Sequence, residues 1–211
     1  MTVIDQVRDD QPLTVAGVDV VLNAQGRTQR VLDQRSLKIA GALHRRFWKR
    51  RREMLQNQAR KGVTRNSIVE HGSMSSCVAN VADAVTWDDR LLQFEKVANM
   101  GKWTGEEVVA IRGWSDTEPG VLVDGRAVPG SVFDVAIALS LVAEELREGR
   151  VPFTLSIPEP QDEAETALWR DLLALAEDRL GVERGIVRVG VLGTQPNQMP
   201  SDGLRGPVDV D

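Results

Sequence analysis

The side chains of greatest chemical interest are two histidines, one cysteine and a cationic run, His44-Arg45-Arg46-Phe47-Trp48-Lys49-Arg50-Arg51-Arg52. His44 and His71 stand apart and give no metal-ligand spacing. Cys77 lies in the apolar stretch SSCVANVA, which suits a small core residue better than a nucleophile. No GxGxxG or Walker-type loop is present, and Gly190 and Gly193 in GVLGT are too sparse to cradle a phosphate. Clustered cations with aromatics favour phosphate and base contacts. The same run at helical spacing makes a basic helix face with Phe47 and Trp48 turned inward. The acidic balance of the whole chain, net −5, favours that second reading, so no nucleic-acid partner is expected.

The elements that must position any site can be read from pattern. Thr14–Leu22 predicts a short strand or hairpin, and Asn23–Gln29 a loop. Asp33 caps a long helix from about Arg35 to Arg60, with Leu37, Ala40, Leu43, Phe47 and Leu55 on its apolar face. Ser75–Ala82 predicts a buried strand, and Asp88 the cap of a helix through Ala98, ended by Gly101. The stretch Arg112–Asp134, RGWSDTEPGVLVDGRAVPGSVFD, follows a strand over Glu107–Ile111. It predicts an exposed loop at Ser115–Pro119 and a type I′ turn at Asp124-Gly125, where both central residues need φ > 0. A helix capped by Ser131 should follow, with Asp134 near its donor end. That helix, Ser131–Arg147, is apolar almost all round and calls for burial on more than one face. Strand Pro152–Ile157, helix Asp162–Leu180 and strand Ile186–Leu192 complete a β-α-β-α-β rhythm, which implies parallel strands with helical crossovers.

RGW at 112–114 and VLVDGRAVPGSVFD at 121–134 resemble the short, A-type malate synthases, with their RGW/RGLHLPEKH-like loop and "PGSLFDF"-like helix entry. FTLSIPEPQDEAETALWRDLL and GIVRVGVLGT extend the likeness, and the basic helix is similar to an "LHRRFNPRREELL"-like helix of the family. The resemblance implies a Mg²⁺-dependent TIM barrel that condenses acetyl-CoA with glyoxylate. It also implies side chains that this sequence replaces. An Arg thought to polarise the substrate oxygens falls on Ala110, while Arg112 is retained; a guanidinium suits that task as a fixed fork of donors. Positions 110 and 112 point to the same side of a strand, so Arg112 is a candidate substitute, with a structural ion pair the favoured alternative. The family's acids after an earlier strand fall on Asn80 and Ala82, leaving Asp83 as the second candidate. Its Mg²⁺-ligating Glu falls on Gly193, which can ligate nothing, and a Lys falls on Glu159. No metal site and no bound cofactor are therefore expected. The family's second metal ligand and its general base belong to a region after the end of this stretch.

Three segments are expected: an N-terminal extension with the basic helix (1–66), a partial β/α barrel (67–194) and a disordered tail rich in Pro, Gly and Asp (195–211). The fold class is α/β, an incomplete TIM-barrel-like parallel sheet with an N-terminal helical extension. Only about four barrel-type strands can be placed, against eight in a closed barrel. Such a sheet has open edges and a part-exposed Ser131–Arg147 helix, so it should pair with a second copy, another chain, or rearrange. The expected role is that of a malate synthase-like pseudoenzyme or partner subunit. Its rivals are the active half of a split enzyme completed by a second chain, and a related CoA-thioester lyase using Arg112 and Asp83.

Charge is unevenly spread. Residues 1–60 hold 12 Lys/Arg against 6 Asp/Glu, and the remainder 14 against 25. That split marks either a contact surface or a solvated basic helix beside an acidic domain. A single cysteine excludes an intrachain disulfide and fits a reducing compartment. MTVIDQVRDD lacks an apolar leader and no run approaches membrane-spanning length, so the expected location is cytoplasmic, with no membrane partner.

Overall fold

A computed structural model describes residues 13–22, 27–63, 77–100, 104–148 and 153–191. The expected tail at 195–211, the Gly101 stop, His71 and Gly193 lie outside the described residues.

Among those residues the chain forms two four-stranded sheets. The first is antiparallel, in the order β1 (Leu13–Val15), β2 (Val18–Val20), β5 (Thr117–Val123), β6 (Arg126–Pro129). The second is parallel, in the order β3 (Cys77–Asn80), β4 (Val108–Ala110), β7 (Phe153–Ile157), β8 (Val187–Val191). This second sheet, with its helical crossovers, is the expected incomplete α/β barrel, and no closed ring is formed among the described residues. The antiparallel sheet was only half foreseen. Both of its hairpins were legible, but nothing in the pattern says that β2 pairs with β5, as Val18 with Val123 and Val20 with Val121. The Asp124-Gly125 turn has φ +50° and +77°, the two positive values a type I′ turn requires.

The helices are α1 (Arg27–Val31), α2 (Gln34–Arg60), α3 (Trp87–Ala98), α4 (Gly130–Leu141), α5 (Ala143–Arg147) and α6 (Glu163–Leu180). Asp33 caps α2 as expected, its carboxylate accepting the Ser36 amide at 2.6 Å. Four expectations are corrected. α1 begins inside the expected 23–29 loop. The cap of α3 is Thr86, which forms a reciprocal pair with Asp89, so Asp88 falls two residues past the cap, within the first turn. The 131–147 helix breaks at Val142 into α4 and α5, and α4 starts at Gly130 after Pro129, so Ser131 caps nothing. β5 starts at Thr117, which turns most of the expected exposed loop into strand and buries Glu118 completely.

The part-exposed helix is also corrected. Every α4 residue from Gly130 to Leu139 is buried, because α2, α3 and α6 pack around it along with β5 and β6. Phe133 meets Trp87 and Phe94 on one side, and Phe47, Trp114 and Trp169 form a second aromatic group. No helix among the described residues is long and apolar enough to cross a membrane.

Candidate functional site

In a parallel α/β sheet the chemistry belongs at the C-terminal strand ends. Here those ends are joined in one row, Asn80 beside Ala110, Ala110 beside Ser156, Ser156 beside Gly190. Backbone bonds extend the row past the strands, from Val81 N to Ala110 O at 2.9 Å and from Ile111 N to Ser156 O at 3.0 Å. Three of these four side chains are small or absent. Ala110 and Ser156 are each 1% exposed. The Ser156 hydroxyl has no hydrogen-bond partner among the described residues.

Arg112 emerges two residues past Ala110 and is committed elsewhere. Its backbone N–H and Nε donate to Asp134 Oδ2 at 2.9 and 3.0 Å, and its Nη2 donates to Asp134 Oδ1 at 2.6 Å. Nη2 also lies 3.0 Å from Glu118 Oε2. Glu118 in turn sits 2.7 Å from Arg90 Nε, off the hydrogen-bonding axis, and accepts Arg90 Nη2 at 3.2 Å and the Gly120 amide at 3.1 Å. Two guanidiniums and two carboxylates thus close a buried network that joins the loop after β4 to β5, α3 and α4. Burial by itself disfavours the Arg112 cation, but the Asp134 and Glu118 charges outweigh it and hold its pKa above the ordinary value. Gly130 makes the close approach possible. A Cβ there would lie 3.0 Å from Asp116 Cβ and 3.1 Å from Arg112 Cβ, so neighbours would have to shift.

Asp83, the other candidate, is exposed at the end of β3. Its Oδ2 accepts Asn80 Nδ2 at 2.7 Å, and its amide donates to Asn80 Oδ1 at 3.2 Å. Among the described residues Arg112 contacts Asp134 and Glu118, not Asp83, so the two candidates do not form one constellation. Glu159 is exposed on the loop after β7. A hard divalent cation wants several converging oxygens. Among the described residues no group of three or more acids, histidines or cysteines is placed to hold one. Cys77 is half-buried, and burial pushes its thiol up, away from thiolate chemistry.

Sequence reading missed Arg90 and Glu118. They are 28 positions apart and on different element types, so no spacing rule links them. It also missed that His44 is buried, stacked on Trp48 at 5.4 Å, with neither ring nitrogen partnered. Burial, helped by Arg126, Arg45 and Arg51 against the pull of Asp124, lowers the His44 pKa from 6.5 to about 4. Between those values the unfolded chain binds a proton that the folded chain refuses, so His44 makes stability fall as pH drops through that window. The loss is at most about 3 kcal/mol. Urea unfolding at neutral pH and near the lower end of the window should show the decline in the parent chain and a smaller one in His44→Phe. Equal declines would mean that His44 is protonated in the folded chain without cost.

Comparison with known proteins bears on the same region. Residues 107–198 match the family described as "Malate synthase, TIM barrel domain". The glyoxysomal malate synthase of Candida tropicalis is 37% identical over 86 residues, 40% of this chain and 15% of that protein. Malate synthase of Myxococcus xanthus is 34% identical over 82 residues, 38% of this chain and 15% of that protein. Glyoxysomal malate synthase of Cucurbita maxima is 28% identical over 122 residues, 54% of this chain and 21% of that protein. The matched part therefore spans about a fifth or less of each of these relatives.

Proposed function

We propose that the chain is a partial member of the malate synthase family and a partner subunit which does not itself condense acetyl-CoA with glyoxylate. The observation that carries the proposal is the state of Arg112. It is the guanidinium kept at the site, and its hydrogen bonds run to Asp134 inside a buried network. A group aimed at a developing oxyanion must hold its donors free for the substrate. Ala110, which lines the strand end where the resemblance expects a second guanidinium, offers no donor. Asn80 and Asp83 are hydrogen-bonded to each other.

The experiment is direct. The purified chain is mixed with acetyl-CoA, glyoxylate and Mg²⁺, and thiol release is followed with a chromogenic thiol reagent. The rate should not exceed that without protein. Sustained turnover that depends on glyoxylate would overturn the proposal.

A second reading is the active half of a split enzyme. It is favoured by the edges of the parallel sheet: among the described residues β3 and β8 each pair on one side only. A second copy or another chain would continue the ladder there. Under this reading, co-expression with a polypeptide carrying the remaining barrel strands yields one complex with turnover. Under the first it yields none. The reducing compartment suited to a lone cysteine keeps a cytoplasmic location within this proposal.

A further inference from the structure

Among the described residues the outward face of α2 carries cations that are paired with few acids. Lys38, Arg46, Lys49 and Arg52 are all exposed, with the Lys49 side chain 87% accessible. Among the described residues Lys49 pairs with Glu53 at 4.0 Å, and Glu53 is itself more than half exposed. Of the other cations of the helix, Arg35 donates to the Leu180 carbonyl, Arg60 is exposed in the last turn, and three more are held in place. Arg45 is held by Asp124 and the Ala16 carbonyl, Arg50 by Asp171, and Arg51 is buried against the Trp114 carbonyl. From Lys38 to Arg52 the stripe runs about 21 Å along the helix. Trp48 flanks it, with the Arg126 guanidinium 5.6 Å from its ring centre.

The complementary charge lies at the C-terminal end of the parallel sheet. Asp83 and Asp88 after β3, Asp116 after β4, and Glu159 and Glu163 after β7 are all exposed, with the Glu163 side chain 85% accessible. Of the arginines at that end, Arg90 and Arg112 are buried in the ion network, Arg51 is buried against the loop after β4, and Arg170 lies 3.4 Å from Glu163, whose side chain stays largely exposed.

We propose that the basic stripe of α2 docks on the acidic sheet end of a second copy of this chain. Charge complementarity argues for this occupant: counter-charges that match the stripe are present on the same polypeptide at a different surface. The contact is heterologous, one patch against a different patch, so it propagates into rings or chains of subunits unless the geometry closes on a dimer. A nucleic acid is the weaker occupant, because the net charge of −5 repels a polyanion at long range. The inference rests on the partner-subunit reading above only in treating the chain as one that associates; the surface is α2, not the sheet edge.

The test is sedimentation of the full chain. At low salt the mass should exceed 23.2 kDa, and it should return to that value in about 0.5 M salt, where the screening length is a few ångströms. The triple variant Arg46→Glu, Lys49→Glu, Arg52→Glu should be monomeric at low salt. Mixing it with Glu159→Lys, Glu163→Lys should restore association that neither variant shows alone. A monomeric parent chain at low salt overturns the inference. So does association that persists in high salt and in the triple variant, a result that leaves the sheet-edge reading standing. A monomer that binds a labelled single-stranded oligonucleotide through the same three residues also overturns it, in favour of the polyanion. Thiol release in the assay above would remove the partner-subunit reading and leave this one untouched.

Discussion

Arg112→Ala should lower the unfolding free energy by about 3–5 kcal/mol, because it removes one member of a buried charge network and leaves its partner uncompensated. Asp134 would lose both side-chain bonds from the guanidinium and keep the Arg112 backbone amide alone. Glu118 would keep Arg90 and the Gly120 amide, so the damage should concentrate on Asp134 and the α4 start. Set against a typical domain stability of about 5–15 kcal/mol, this is a large fraction. Urea or thermal unfolding measures it. The companion experiment separates charge from shape. Replacing both partners together, Arg112→Met with Asp134→Leu, should cost much less than either single change, since neither leaves a bare ion in the core. If Arg112→Ala unfolds like the parent chain, the network is not what holds the loop after β4 to α4. Arg112 would then be free to be read as a catalytic remnant.

Much of the architecture could be read from local pattern because local physics decides it. The Asp124-Gly125 turn needs two positive φ angles, and few dipeptides supply them. Asp33 could be placed as a cap because the apolar period of α2 starts just after it. The parallel strands are legible as apolar runs alternating with helical periods, and that rhythm by itself implies a parallel sheet with helical crossovers. What escaped is non-local. The pairing of β2 with β5 joins residues about a hundred positions apart, and each strand alone would fit several partners. The all-round burial of α4 could be read as a demand, but not the identity of the helices that meet it. Thr86 outcompeted Asp88 as cap because the reciprocal bond with Asp89 satisfies two donors at once. At the site, Arg112 was visible as a retained motif residue. Its commitment to Asp134 was not, because the residue expected to serve the α4 dipole points back across the hairpin instead. Arg90 and Glu118 gave no signal at all, since an arginine in a helix and a glutamate before a proline are ordinary surface residues until the fold brings them together.

Trp114 tests whether the remaining residues of the 112–114 motif are architectural too. The ring is 0% exposed, 6.3 Å from Phe47 and 5.2 Å from Trp169, both tilted by 57°. Phe47 belongs to α2 and Trp169 to α6, so Trp114 is where the loop after β4 is gripped between two helices. Its carbonyl accepts Arg51 Nε at 2.6 Å, which fixes the backbone from the same side. Trp114→Ala keeps that backbone bond and empties the space between the helices. The expected loss is about 3–5 kcal/mol, the usual cost of truncating a buried large aromatic. The indole nitrogen has no hydrogen-bond partner among the described residues, so the ring contributes by volume and ring contact, not by donating a bond. Trp114→Phe should therefore lose only a fraction of what Trp114→Ala loses, in the same unfolding assay. Equal losses for the two variants would show that the indole N–H is bonded in solution. A small loss for Trp114→Ala would mean that α2 and α6 close over the gap, and that the motif does not hold them apart.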